Sequence, residues 1–250
     1  MWVLAGCGPT IIAYPPPSML PGAIEPLGGG EVDLGVGASA LVWGSAAAHG
    51  AFFNELGGPL SFGGGVGLGH GVDVSIVASQ HLQGPTGGLS AGLWLLDQPM
   101  LQAGPIIGIA GSLAEDTSVF TLPVVGPDGP ILTEDGEPLT TGIERDYAYT
   151  TIAPSVGGRL VWRPADQWSV PVMLRGSYSV SIARKGLEDW DMPRTAWIEG
   201  LAGIGWSPSD HFTLALGTGV LAPVGADAPF TPSVVVNASA HIRFDTAPDP

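Results

Sequence analysis

The feature that most constrains the fold of this chain is a strict alternation of apolar with small or polar residues. In residues 31–43, apolar side chains occupy every second position from Val32 to Val42, and the alternate positions from Glu31 to Ser39 hold Glu, Asp, Gly and Ser. Residues 168–184 and 231–244 repeat the pattern. A period of two is that of a β-strand with one apolar face. The sequence therefore predicts an all-β protein made of long strands.

Composition narrows the class further. Hydrophobic residues make up 45% of the chain and charged residues only 12%, which is too apolar for a disordered chain. Lys185 is the only lysine, so the usual helix-forming composition is missing. The formal net charge of -15 disfavours binding to a nucleic acid backbone. An all-β chain with an unusually apolar exterior is the remaining class.

The alternating stretches can be laid out as ten strands, although eight or twelve are also compatible with the pattern. Their lengths of about 10–17 residues exceed the usual 5–6 and suit strands that cross a bilayer. Short connections alternate with longer ones at 44–59, 83–87, 114–145, 185–193 and 223–230, as in outer-membrane barrels. The predicted strands are 31–43, 60–69, 72–82, 88–97, 101–113, 146–163, 168–184, 194–206, 211–222 and 231–244.

Two tight turns share one motif, in which an aromatic residue, a Pro, an Asp and a second aromatic residue follow at fixed spacing. The copies are residues 162–170 and 206–214. Pro presets φ for a turn and Asp can cap it, so each copy predicts a hairpin. The aromatics share the apolar face of their strands, which predicts a girdle at the membrane interface, with ordinary hairpin packing as the alternative. These residues are Trp162, Trp168, Trp206 and Phe212.

At this level the chain resembles the small single-chain β-barrels of Gram-negative outer membranes, over about residues 31–244. The last strand alternates and ends on aromatic Phe244, which looks like the assembly signal read by the barrel insertion machinery. The tail 245–250 departs from many family members, which end on the aromatic residue. The resemblance implies a closed antiparallel up-and-down transmembrane barrel, with outer-membrane lipids and the insertion machinery as partners.

The N-terminal region suggests export and anchoring. Residues Leu4 to Cys7 resemble the lipobox of bacterial lipoproteins, which implies that Cys7 becomes lipidated. Only three residues precede this box, so either the signal peptide starts further upstream or the match arises by chance. We predict a partial signal segment at 1–7 and a Pro- and Gly-rich linker at 8–30.

The positions that alternate with the lipid-facing residues should line the lumen. They carry four acids, three arginines and a histidine, and buried charges must be paired, so we predict a salt-bridge network within a Gly- and Ser-lined interior. The alternative is a polar path for small solutes. The predicted lumen residues are Glu31, Asp33, Asp73, Tyr147, Tyr149, Arg159, Arg175, Glu199, His241 and Arg243.

Catalytic chemistry is the weaker hypothesis. A barrel hydrolase could use Asp189 and Asp191 in a loop, or His241 with Ser239 and a neighbouring Glu31. Residues two apart on a strand lie about 7 Å from each other, so we expect no direct His241–Ser239 bond.

We predict a non-enzymatic outer-membrane barrel without metal or cofactor, either a narrow pore or a structural or surface protein. The alternative is a soluble β-sandwich lipoprotein that binds a ligand. The solute or ligand itself is not specified by the sequence.

Overall fold

The computed structural model describes residues 25–43, 60–81, 84–126, 129–133, 139–185, 194–224 and 232–246. They form thirteen strands. These are β1 (Glu31–Trp43), β2 (Leu60–Gly69), β3 (Val72–His81), β4 (Gly84–Leu93), β5 (Leu96–Gln98), β6 (Leu101–Pro123), β7 (Val125–Gly126), β8 (Gly129–Pro130), β9 (Thr140–Ala165), β10 (Trp168–Lys185), β11 (Arg194–Ser209), β12 (Phe212–Val224) and β13 (Ser233–Asp245).

Ten of these strands close into one antiparallel barrel. Each pairs with its neighbour along the chain, β4 pairs with β6, and β1 closes the sheet by pairing with β13. The short β5 continues the line of β4 along β6. The predicted ten-stranded up-and-down barrel is confirmed. The β-sandwich architecture of the alternative is wrong, because the large sheet closes on itself instead of stacking on a second one.

Four short turns lie at the end of the barrel where β1 begins and β13 ends, which we call the turn end. They fall at His70–Gly71, Pro99–Met100, Asp166–Gln167 and Asp210–His211. His70 has a φ of 54°, a left-handed conformation that is uncommon for a residue other than glycine. In the two repeated motifs the strand continues through the Pro, so the turn begins later than the motif suggests.

Two of the connections predicted to be long are different in the structure. β4 begins at Gly84, so only residues 82–83 separate it from β3. The predicted loop 114–145 consists largely of paired strand. β6 and β9 remain paired from Glu115–Ala148 to Pro123–Thr140, and we call this extension the ribbon. The same segment also contains the short β7–β8 pair, in which Val125 is opposite Pro130 and Gly126 opposite Gly129.

The sequence missed the ribbon because strict alternation is required only where one face of a strand meets an apolar medium. The pairs of β6 with β4 end at Ser112, and those of β9 with β10 end at Ala148. Beyond these points the two strands pair with each other alone among the described residues. A two-stranded ribbon has no interior to fill, so its sequence does not need a period of two.

The barrel wall has an apolar outer face. Large hydrophobic side chains along every long strand are exposed there, and Leu174 is 62% exposed. Exposed apolar area of this extent on a monomer indicates a membrane or an interface rather than water. Its outward-facing residues include Leu34, Val36, Phe62, Ile76, Leu89, Ile107, Ile109, Val156, Leu174, Ile198, Ile204, Leu216, Val236 and Ile242. Among the described residues, no helix has the length and hydropathy needed to span a membrane.

Apolar side chains are buried inside the barrel among the described residues. One buried apolar cluster contains Trp94, Ile106, Val161, Met173 and Leu201, contributed by five different parts of the wall. A second buried cluster joins Trp197, Leu221 and Val235. The alternation rule assigned charges, Gly and Ser to the interior and did not anticipate these apolar residues, which occupy inward positions.

Candidate functional site in the barrel interior

The central charged group is built from Asp73, Arg159 and Trp94. Arg159 Nη2 donates to both carboxylate oxygens of Asp73, at 2.7 and 2.8 Å. The indole Nε1 of Trp94 donates to Asp73 Oδ2 at 2.7 Å, and the guanidinium carbon of Arg159 lies 4.0 Å from the centre of the Trp94 ring. All three residues are buried. The carboxylate thus accepts three hydrogen bonds, and the cation has both a counter-ion and an aromatic face.

Two local features allow this group to form. Trp94 lies on the inward face two residues after Gly92, and its backbone N–H donates to the Gly71 carbonyl at 2.7 Å. Gly92 faces the Arg159 side chain, and a Cβ there would coincide with the guanidinium. A glycine is therefore needed at this position for the arginine to lie flat against the wall.

A second ion pair crosses from β10 to β11. Arg175 and Glu199 stand opposite each other in the strand register, and Arg175 Nε donates to Glu199 Oε2 at 2.9 Å. The Nη2 group of Arg175 contacts the same oxygen. Both side chains are buried, and their pairing compensates for the cost of removing the two charges from water.

A third group connects Asp33, His241 and Ser239. His241 Nδ1 lies 2.8 Å from Asp33 Oδ2, and Nε2 lies 3.1 Å from Ser239 Oγ. The expectation that His241 and Ser239 are too far apart is wrong, because the imidazole is long enough to bridge two positions of one strand. The acid is Asp33 rather than the expected Glu31. Gly35 makes room for the ring, since a Cβ there would lie 2.5 Å from His241 Cε1.

The fourth group lies at the turn end and includes a residue from the segment before the barrel. Glu25 is 5% exposed, and its Oε1 accepts a hydrogen bond from Ser169 Oγ. Its Oε2 accepts from Arg243 Nη2 at 3.2 Å and lies 3.7 Å from Arg163 Nη2. Residues 25–30, the end of the predicted linker, thus enter the mouth of the barrel.

The other predicted lumen residues are placed as follows. Tyr149 is buried. Glu31 sits at the rim, where its Oε2 accepts from the Gly28 backbone N–H at 2.5 Å. The backbone of Tyr147 belongs to the ribbon, and its side chain lies outside the described part of the structure.

The predicted girdle residues lie on the outer wall close to the turn end. Trp162, Trp168 and Trp206 are exposed, and Phe212 is half-buried. Trp168 and Trp206 are paired in the strand register, with ring centres 6.4 Å apart. Phe244 is also exposed on this face.

Some of the predicted positions cannot be located. Cys7, Asp189 and Asp191 lie outside the described residues.

The interior offers limited chemistry. Within the described ranges, no group of three or more His, Cys, Asp or Glu side chains is arranged to hold a metal ion. The Asp33–His241–Ser239 order is that of a serine hydrolase, in which the acid orients the imidazole and the imidazole takes the hydroxyl proton. Ser239 is only 7% exposed and His241 only 1%, so a substrate would have no access to the hydroxyl in this state.

Sequence reasoning missed Glu25, Trp94 and Ser169 as interior partners. Glu25 sits in a Pro- and Gly-rich stretch with no periodicity, where only its charge distinguishes it from its neighbours. Trp94 points inward in step with Gly92, but the prediction assigned only charged, Gly, Ser and Tyr residues to the interior and did not include an indole. Ser169 stands at an inward-facing position of its strand, but serine is common at such positions, so the sequence did not mark it as a partner of a buried acid.

Comparison with known proteins supports the fold. No protein-family model matches the chain, and no curated protein matches it. The solved structure of the outer membrane protease OmpT from Escherichia coli is similar, with a TM-score of 0.50, 10% identity, and coverage of 86% of this chain and 96% of that one. Ail, the attachment invasion locus protein of Yersinia pestis, matches with a TM-score of 0.36, 10% identity, and coverage of 86% and 99%. The likeness to OmpT shows a shared closed β-barrel fold.

Proposed function

We propose that this chain is a non-enzymatic outer-membrane barrel with a closed interior, which acts as a structural or surface protein rather than as a pore. The observation that carries the proposal is the burial of apolar side chains that point into the barrel. Val161 is 0% exposed and Met173 1% exposed, although both project from the wall toward the barrel axis. A continuous water path past these side chains would leave them measurably exposed.

The buried charges support the same conclusion. A solute path needs charged groups that face water, whereas Asp73, Arg159, Arg175 and Glu199 are buried and paired. Ten strands enclose an interior only slightly wider than that of eight-stranded barrels, which side chains fill. In the narrow-pore alternative, the members of these ion pairs and of the apolar cluster would have to move apart to open a path for a solute.

The membrane environment follows from the outer face. The exposed apolar band would contact lipid, and Trp162, Trp168, Trp206 and Phe212 would lie at the interface near the turn end. We propose the outer membrane as the location and Phe244 as part of the signal for the insertion machinery. Lipidation of Cys7 remains part of this proposal, and it would place an anchor at the turn end of the barrel.

The ribbon is the part of the molecule best suited to contact other molecules. Its paired positions from Glu115 to Pro123 correspond to about 30 Å of extended chain beyond the barrel wall. We propose that this extension and the neighbouring connections present the surface that a ligand would recognise.

Conductance in planar bilayers tests the closed interior. The purified full chain, shown to be folded by its gel mobility, should insert without stable unitary current steps. The double variant Val161→Gly/Met173→Gly removes two side chains of the apolar cluster and should conduct. Stable steps from the unmodified chain would contradict the proposal and favour the narrow pore.

A further inference from the structure

The segment just before the barrel occupies the turn end as a bound peptide would. Glu25 and Leu27 are 5% and 8% exposed, although neither belongs to a strand. The Gly30 N–H donates to the Gly67 carbonyl at 3.0 Å, and the Gly30 carbonyl accepts from Thr246 N–H at 2.9 Å. Hydrogen bonds to β2 and to the residue after β13, which lie on either side of β1, therefore hold the segment.

Glycines of the wall shape the slot for this segment. A Cβ at Gly67 would coincide with the Gly28 carbonyl oxygen, and a Cβ at Gly65 would lie 2.9 Å from Leu27 Cδ1. On the far side, a Cβ at Gly205 would lie 3.0 Å from Glu25 Oε1. Wall positions on β2 and β11 thus leave space that the segment fills. We call residues 25–30 the plug.

The polar part of the slot is complementary to a carboxylate. Ser169, Arg163 and Arg243 belong to three different strands and converge on the two oxygens of Glu25. Arg243 Nε is buried without a hydrogen-bond partner and lies 3.8 Å from Asp33 Oδ1. Two arginines this close together repel each other unless an anion lies between them. We call Ser169, Arg163 and Arg243 the seat.

We propose that the seat is a carboxylate-binding site, that Glu25 is its built-in ligand, and that a small free carboxylate occupies it when the Glu25 side chain is removed. The site is independent of whether the barrel conducts. A cleft of about 350 Å³ adjoins it and is lined by Arg163, Arg243, Gln102, Asp97 and Trp94, together with the glycines of the plug and of the β2–β3 turn. A free carboxylate can reach the seat from this side.

Thiol labelling tests the role of Glu25. In a Cys7→Ser chain, Leu27→Cys places a single thiol in the plug, where the fold protects it from a maleimide. Adding Glu25→Ala should speed labelling roughly tenfold or more, because a charge-assisted hydrogen bond that holds the plug is lost. The matched control is Asp210→Ala, which removes an exposed carboxylate at the same end. Equal labelling rates with Glu25→Ala and Asp210→Ala would overturn the assignment of Glu25.

Chemical rescue tests the seat itself. For the Glu25→Ala chain, acetate should raise the temperature at which the SDS-resistant folded band converts to the unfolded band. Acetamide and chloride at the same concentration should not. Arg243→Met in the same chain should abolish the acetate effect. An equal response to acetate and acetamide, or an acetate effect that survives Arg243→Met, would refute the carboxylate site.

Discussion

Removing the Asp73 carboxylate should destabilise the barrel more than any comparable change to an exposed acid. Asp73 accepts two hydrogen bonds from Arg159 and one from Trp94 Nε1, and all three residues are buried. Asp73→Ala leaves Arg159 without its counter-ion in the barrel interior. The cation–π contact with Trp94 remains but cannot replace a carboxylate.

The magnitude follows from these partners. An unpaired buried charge costs about 3–5 kcal/mol. The stranded indole N–H of Trp94 adds about 1 kcal/mol or more. We therefore expect the free energy of unfolding to fall by about 4–6 kcal/mol. Asp97→Ala, the matched control, removes an exposed carboxylate that accepts one hydrogen bond from Gln102, and should cost less than about 1 kcal/mol.

The free energies of unfolding of the two variants can be compared by urea unfolding in phospholipid vesicles. The folded fraction is read from the SDS-resistant band on a cold gel. The double variant Asp73→Leu/Arg159→Met removes both charges and should recover much of the loss, because well-packed apolar residues can replace a buried ion pair. If Asp73→Ala and Asp97→Ala unfold at the same urea concentration, the buried network contributes nothing and the reasoning is wrong.

Three further predictions concern other parts of the wall. Leu174→Arg places a charge on the lipid-facing side at a cost of roughly 2–4 kcal/mol, and pulse-chase assembly in cells should show a lower yield of folded barrel. Gly35→Ala should cost about 1–3 kcal/mol by displacing the His241 ring, whereas Gly158→Ala, whose added Cβ meets nothing closer than 3.9 Å, should be nearly neutral in the same urea assay. Ser239 should not react with a fluorophosphonate probe in the folded barrel, and labelling that disappears in Ser239→Ala would instead indicate a hydrolase.

The barrel could be predicted from the sequence because a membrane strand in a narrow barrel must satisfy two environments at once. Each outward position is apolar and each inward one must fit the interior, so alternation from Val32 to Val42 defines both a strand and its orientation. The turns at His70–Gly71 and after Pro164 follow from local chemistry as well. Counting the alternating segments gave ten strands, with eight or twelve also compatible with the pattern.

The interior contacts could not be predicted because they join residues that are distant in the chain. The alternation placed Asp73 and Arg159 on the same face of the sheet, but their pairing depends on the closure of the barrel and on Trp94 being buried beside them. Glu25 pairs with Arg243, more than 200 positions away, from a segment with no periodicity. The ribbon was also missed, because a free two-stranded extension imposes no pattern on its sequence.

The measurement that tests the central claim most directly is the gel mobility of the detergent-extracted full chain, with and without boiling. A closed membrane barrel should require detergent for extraction, resist SDS in the cold and change its mobility on heating. A chain that is soluble without detergent and migrates identically before and after boiling would contradict the membrane barrel and every inference built on its outer face.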